Sequence, residues 1–422
     1  MQNDLTESVQ ASIRPGEMVD TYYYGETNTE KQAYPAIVNT RFVQQFTNLG
    51  AGSSQFVISP NMGVSDIILQ FALPASTGAN YTSGALSSGW GYALINRLSV
   101  RYGSSAQYFW SGPQMWLENV LDAENNPKVD ALLQLGGNAG VGAALGNAQA
   151  SVYLKLPHNS VRADGKPLPF PSDLLVQPIV ITVELFSPTQ IITNQGAAAP
   201  FTVGPTALAS AQLQVKQEML TDSSDQLARR VDMNSHAYTF PLQYFAQQET
   251  TTSVTSDANN SVNSINLTGF RAGEVKHIVL WLTTAATSTA GSGNYQPLSW
   301  QAMTDIQLTY NGEIFNRFDA GGFQLWNATE DSKTPVVNGL VQQTFGAVAS
   351  TTVVAYYVRL DLAQVNIAYD RETKLVHGKP ILNAVVNLSF RAPAANTAYV
   401  LHAMYLYNAS LLCSRGSAEY IF

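Results

Sequence analysis

Five histidines (His158, His236, His277, His377 and His402) and a single cysteine, Cys413, are the side chains here best suited to bind a metal or act as a nucleophile. A protein zinc site needs several such ligands at short, regular spacing, as in His-Glu-x-x-His. These histidines are scattered and that motif is absent. His277 and His402 fall in strand-like runs and read as core or interface residues. One cysteine excludes an intrachain disulfide and a cysteine-based metal site, which fits folding in a reducing compartment.

The remaining chemistry-bearing patterns are weak. Gly140-Val141-Gly142-Ala143-Ala144-Leu145-Gly146 has one residue too many between its last glycines for a dinucleotide loop, and it follows a helical rather than a strand pattern. Gly165-Lys166 is followed by Pro167, not by the Ser/Thr of a phosphate loop. No Gly-x-Ser-x-Gly elbow occurs, so a Ser–His–acid site has no anchor in the sequence. Glu313 and Asp319 flank a turn and read as solvent-facing carboxylates. Trp90, Trp110, Trp116, Trp281, Trp300 and Trp326 could stack sugars, but buried anchors in cores and subunit interfaces are the commoner use of such side chains. Glycosylation sequons at Asn80, Asn259, Asn266, Asn327, Asn387 and Asn408 read as chance matches in a chain rich in Asn, Ser and Thr. The reading is therefore non-enzymatic, with no catalytic, cofactor-binding or metal-binding residues assigned.

The elements behind these residues are mostly strands. Ala211, Leu213 and Val215 alternate with Gln212, Gln214 and Lys216. Ile306, Leu308 and Tyr310 alternate with Asp305, Gln307 and Thr309. Val386, Leu388 and Phe390 alternate with Asn387, Ser389 and Arg391. A period of two puts one set on a buried face. The runs 67–73, 176–186, 274–282 and 352–360 are apolar on both sides and read as inner strands. Asn311-Gly312 between two such runs predicts a hairpin, because both residues tolerate positive φ. The stretches 76–88, 247–261 and 284–294 read as loops. Helix is expected over 113–136, broken at Pro127, with shorter candidates at 223–233 and 322–330.

With 422 residues the chain is too long for one ordinary core. The polar stretch 221–235 separates two sets of strand runs, each sufficient for about eight strands, the number of a jelly roll. The expected fold class is all-β, two tandem eight-stranded jelly-roll sandwiches with a few short helices in loops. The expected divisions are an N-terminal arm at 1–34, a first jelly roll at 35–220, a linker at 221–235 and a second jelly roll at 236–422. Charged residues make up 12% of the chain, about half the usual ~25%. A surface of Ser, Thr, Asn, Gln and Tyr can pack against neighbours with little charge desolvation. Net charge is −8, and no Lys/Arg cluster of four occurs, which argues against direct contact with nucleic acid. Neither a signal-peptide pattern nor a membrane-length apolar run is found.

Four segments resemble the double jelly-roll major capsid proteins of icosahedral double-stranded DNA viruses, the lineage of large DNA viruses, virophages and tailless phages. The first is Gly91 to Gly103 followed by Gln114-Met115-Trp116-Leu117-Glu118. The second is Leu154-Lys155-Leu156-Pro157, then Pro167-Leu168-Pro169-Phe170, then Ile179 to Phe186. The third joins Val275-Lys276-His277-Ile278-Val279-Leu280-Trp281 to Ile306 through Phe318, with its Asn-Gly turn. The fourth is Ala403 to Asn408 followed by Ser414 to Tyr420. Together they span roughly residues 35 to 422. The sequence departs from the family where Gly273-Glu274 stands in place of a proline before the Val-Lys strand. The resemblance implies a homotrimeric, pseudo-hexameric capsomer that tiles an icosahedral virion shell. It implies as partners neighbouring capsomers, minor capsid and penton proteins and, in membrane-containing relatives, an underlying membrane. It requires no cofactor. Two alternatives stay open on the sequence: a receptor- or carbohydrate-binding β-sandwich of the spike or fibre kind, and a glycan-active β-sandwich enzyme with two carboxylates in a cleft.

Overall fold

The computed structural model describes residues 37–60, 63–74, 84–86, 89–123, 136, 148–154, 170–194, 205–220, 231, 235, 237–246, 250–268, 274–290, 295–298, 300–301, 303–310, 312–318, 340–343, 353–361, 379–380 and 386–421. In chain order the first strands are β1 (Ile37–Gln45), β2 (Gly52–Ile58), β3 (Gly63–Ala72), β4 (Gly84–Leu86), β5 (Ile95–Tyr102), β6 (Tyr108–Trp110), β7 (Gln149–Leu154), β8 (Phe170–Pro171), β9 (Ile179–Leu185), β10 (Ile192–Asn194) and β11 (Ser210–Leu220). Among the described residues two α-helices interrupt them, α1 (Trp90–Ala93) and α2 (Gly112–Ala123), together with 3-10 turns at Ser172–Leu174 and Pro188–Ile191. One sheet has the order β1-β11-β3-β7, with β8 also on β3, and the other has the order β2-β9-β5-β6. The pairs β1·β11, β2·β9, β3·β7 and β5·β6 are nested, each inside the last in sequence. That is one long antiparallel hairpin rolled into two facing sheets, a jelly roll.

The second set repeats the arrangement. Its strands are β12 (Ala237–Ala246), β13 (Thr250–Thr255), β14 (Asn263–Leu267), β15 (Glu274–Thr284), β16 (Thr304–Tyr310), β17 (Glu313–Phe318), β18 (Leu340–Gln343), β19 (Val353–Asp361), β20 (Lys379–Pro380), β21 (Val386–Arg391), β22 (Ala398–Ser414) and β23 (Ser417–Ile421). A short helix, α3 (Ala285–Ser288), follows β15. The sheet orders are β12-β22-β15-β19-β18 and β14-β21-β16-β17. The nested pairs β12·β22, β14·β21, β15·β19 and β16·β17 match those of the first set one for one.

Period-two burial builds both sandwiches. Ala211, Leu213 and Val215 are buried, and so are Ile306, Leu308, Val386, Leu388 and Phe390, while their alternate neighbours are half-exposed. Gly312 has φ 86° in the tight β16–β17 turn, the positive φ expected of its Asn-Gly motif. Several expectations differ from the structure: the stretches read as loops over 76–88 and 284–294 contain β4 and α3. The Ser/Thr-rich stretch read as a loop over 247–261 contains β13, which extends the β12 side of the ladder along β22. Its run Thr-Thr-Thr-Ser-Val-Thr is β-branched enough to pair, yet only Val254 points inward, so no apolar alternation marks it. The strand expected from 176 begins at Ile179, after Pro178.

Helix α2 matches the start of the expected 113–136 helix. The expected break at Pro127, the helix candidate at 322–330 and the arm at 1–34 lie outside the described residues, as does the linker at 221–235 apart from Val231 and Ser235.

Candidate functional site

Strands β15 and β22 lie side by side, with Val279 opposite Met404, Leu280 opposite Ala403 and Trp281 opposite His402. Both faces of this pair are buried. Ile278, Leu280, Leu282, Leu401, Ala403 and Tyr405 point into the second sandwich. Val279, Trp281, Met404 and Leu406 point the other way, into an apolar cluster shared with the first jelly roll. This explains why residues 278–282 are apolar at every position: one face closes a sandwich and the other closes a seam between two.

Aromatic rings cross that seam. His402 stacks on Trp281 at 5.1 Å between centroids and 6° between planes. Trp281 lies 5.8 Å from Trp300, and Trp300 meets Trp116 of α2 edge-on at 5.1 Å. Phe186 and Tyr295 form a second contact at 5.7 Å. Edge-to-face pairs of this kind add about 0.5–1.5 kcal/mol each beyond their buried area. The indole N–H of Trp300 donates to the Pro297 carbonyl at 3.1 Å. His402 Nε2 and Thr283 Oγ1 share a hydrogen bond of 2.9 Å.

Helix α2 is held to the first jelly roll by polar side chains. The Glu118 carboxylate accepts from Trp110 Nε1, Tyr108 Oη and Gln114 Nε2. Asn119 Nδ2 donates to Tyr92 Oη at 3.0 Å and to the Tyr153 carbonyl at 2.9 Å. Burial raises the Tyr92 phenol far above its ordinary range, so it is neutral at any physiological pH.

The outer sheet faces carry amides and hydroxyls. Gln70 Oε1 accepts from Gln212 Nε2 at 2.6 Å and from Gln214 Nε2 at 2.7 Å, and Gln45 Nε2 donates to Gln212 Oε1 at 3.3 Å. On the second sandwich Asn387 Nδ2 donates to Asn266 Oδ1 and Asn387 Oδ1 accepts from Ser264 Oγ, both at 3.0 Å. Such faces can meet another protein surface without stripping water from charges.

Trp90, Trp110, Trp116, Trp281 and Trp300 are all buried, in line with the reading of these residues as core or interface anchors, and Trp326 lies outside the described residues. His402 is buried in the seam, as a strand histidine in a core or interface should be. His158, His236 and His377 lie outside the described residues, as do the side chain of His277, the glycine run 140–146 and Gly165-Lys166. Among the described residues no group of His, Cys, Asp and Glu could hold a metal. Burial pushes the Cys413 thiol up to about 12, which leaves it a poor nucleophile. Sequence reasoning missed the role of Glu118. Its position four residues after Gln114 on a helix was the available signal.

Comparison with known proteins turns on structure. No family model matches the chain, and no curated protein matches it. Solved structures do. The PBCV-1 VP54 crystal structure fitted into a reconstruction of the virophage Sputnik aligns with TM-score 0.57 and 14% identity, covering 94% of this chain and 99% of that one. The Faustovirus major capsid protein aligns with TM-score 0.52 and 9% identity, covering 98% and 99%. The mavirus major capsid protein aligns with TM-score 0.51 and 10% identity, covering 94% and 93%. The chain has the double jelly-roll fold of viral major capsid proteins. Coverage on both sides is nearly complete, so the likeness takes in both jelly rolls. Within this double jelly roll, the β15–β22 face and the segment carrying Tyr295, Leu298 and Trp300 pack against the first half.

Proposed function

We propose that the chain is a major capsid protein, a non-enzymatic subunit that assembles as a homotrimer and tiles an icosahedral virion shell. One observation carries this reading. Two jelly rolls with the same nested strand pairing are sealed along a buried aromatic seam, so one chain supplies two similar wedges in a fixed relation. Three copies supply six, a pseudo-hexagonal tile. Structural neighbours that are themselves named as major capsid proteins support it. The low charge and the amide-lined outer faces suit repeated contact with copies of the same chain. Partners on this reading are neighbouring capsomers, minor capsid and penton proteins and, where present, an underlying membrane, with no direct contact to nucleic acid. The protein then resides in the virion.

The divisions proposed are a first jelly roll at 35–220, a linker at 221–235, a second jelly roll at 236–422, and an arm at 1–34 that ties capsomers to their neighbours. The arm rests on polarity and on the Tyr22-Tyr23-Tyr24 cluster. Removing it should leave trimers intact and weaken shells; dissociated trimers would end that part of the proposal. The spike or fibre alternative draws no support from the tryptophans, since the five described are buried and offer no sugar platform.

Mass measurement of the purified protein with negative-stain imaging tests the reading. Three chains per particle with a hexagonal outline are expected. A subunit that stays single at high concentration would overturn it.

A further inference from the structure

We infer that the hairpin formed by β22 and β23 is a clasp that locks the second jelly roll onto the first at the other end of β22 from the tryptophan seam. The inference concerns the purified chain and does not need the capsid reading.

The hairpin is built to reach. Strand β22 is 17 residues long and serves four partners, β12, β13, β15 and β23. Its early inward residues, Leu401 to Tyr407, fill the second sandwich. Its later ones, Ala409, Leu411 and Cys413, join the cluster that contains the first jelly roll, together with Tyr238 and Phe240 of β12. Phe240 meets Phe170 edge-on at 5.4 Å, and Phe170 meets Tyr102 at 5.2 Å, so a chain of rings carries this end of β12–β22 onto the end of β5.

The tip makes the backbone contact. Ser414 pairs with Ser417, leaving Arg415 (φ 50°) and Gly416 (φ 78°) as a two-residue turn with both φ positive. The Gly416 carbonyl accepts from Val176 N at 2.9 Å, and Gly416 forms an isolated parallel bridge with Leu175. Ala418 N donates to Ser104 Oγ at 3.4 Å. Leu175, Cys413 and Ala418 are all buried. The receiving surface is itself fixed, because Leu175 N donates to the Ser172 carbonyl, Gly103 N to the Pro178 carbonyl and Tyr102 N to Ser105 Oγ. A Cβ at Gly416 would lie 2.2 Å from Val176 Cγ2 and 3.1 Å from Val176 Cβ. The close approach, as much as the turn, requires glycine.

This contact joins residues 104 and 176 to residues 416 and 418, more than two hundred positions away in the chain. It attaches the two jelly rolls at a second place along their shared buried cluster, at the other end of β22 from the tryptophan seam. A single seam would let them rock against each other. Two remove that freedom, and the relative orientation of the wedges becomes a property of the chain rather than of its assembly.

The test uses Gly416→Asn, because asparagine accepts positive φ and its Cβ is then the main fault. By hydrogen exchange, protection should fall about tenfold or more in the hairpin and also in segments 102–106 and 172–178, with the first sandwich's β3 and β11 unchanged. Val176→Gly alone and combined with Gly416→Asn completes the cycle, and the double variant should recover protection relative to Gly416→Asn. Loss confined to 413–421 would make the hairpin a local chain end and overturn the inference. If Gly416→Asn does not fold, exchange of the native chain in rising denaturant decides. The Val176 and Ala418 amides opening in one step supports a clasp, and their opening independently refutes it.

Discussion

The indole of Trp281 and the imidazole of His402 lie face to face on adjacent strands, 5.1 Å apart and nearly parallel, with the ring of Trp300 next in line. Their β-register forces the meeting, since residues directly opposite on an antiparallel pair project on the same side. The stack faces the other jelly roll, so its loss should loosen the seam as well as the second sandwich. Trp281→Ala should cost about 3–5 kcal/mol, a large share of the roughly 5–15 kcal/mol that holds a typical domain. Trp281→Phe should cost less, because a ring remains to stack. Urea unfolding followed by tryptophan fluorescence would measure both, and equal losses would mean that stacking contributes nothing.

Glu118 answers three donors from one carboxylate: an indole, a phenol and an amide. Removing it strands Trp110 Nε1 at the end of β6, where Trp110 is buried. An unpaired buried donor costs about 1–3 kcal/mol. Glu118→Ala should therefore destabilise the first jelly roll by that order. Glu118→Gln keeps an acceptor and should recover much of the loss. Thermal unfolding of the two variants side by side checks the ranking.

The sandwiches were legible in the sequence because the alternation that builds them is local. Leu213 and Leu388 announce an inward face within five residues of chain. Strand β13 was not legible, because five of its six residues are polar and its order comes from pairing with residues 398–403, far along the chain. The seam was half legible. A run apolar on both sides, such as Val275 to Leu282, says that both faces are covered but not by what. That Trp116 would meet Trp300 depends on the placement of a whole helix against a loop from the other half, and no periodicity encodes it. The Gly416 contact left no pattern at all, since a glycine in a turn looks the same whether or not another backbone presses on it.

Two glycines should respond differently to the same change. A Cβ at Gly112 would lie 1.8 Å from the Tyr92 carbonyl oxygen and 2.9 Å from that of Ile95. Both obstacles are backbone, so α2 would have to shift bodily away from α1. Gly312 has open space around it but a φ of 86°. Gly312→Ala should therefore cost about 1–2 kcal/mol in backbone strain alone. Gly112→Ala should cost clearly more and reduce soluble yield. Denaturant midpoints of the two variants test the order, and a Gly112→Ala variant as stable as Gly312→Ala would mean that the α1–α2 contact is slack.

High pH should unfold the protein through its buried phenols and its thiol. Burial raises Tyr92, Tyr102 and Tyr420 well above the ordinary 10.0, raises Tyr405 to about 12, and raises Cys413 from 9.0 to about 12. Each group holds its proton more tightly folded than unfolded. Its contribution is therefore complete below the unfolded value and is lost as pH rises toward the folded one. Stability limited by these groups should be level up to pH about 9 and fall steadily between about 9 and 12. Acid should not produce this loss, because these groups are already protonated there. Tyr102, Tyr420 and Cys413 sit at the joint between the jelly rolls, where Tyr102 and Cys413 belong to one buried cluster and Tyr420 packs against it. Their ionisation should accordingly coincide with separation of the two halves. Tyrosinate absorbance in the near ultraviolet, followed together with circular dichroism in an alkaline titration, should change in step. Phenols that all titrate near 10 before any loss of structure would contradict the burial on which the seam depends.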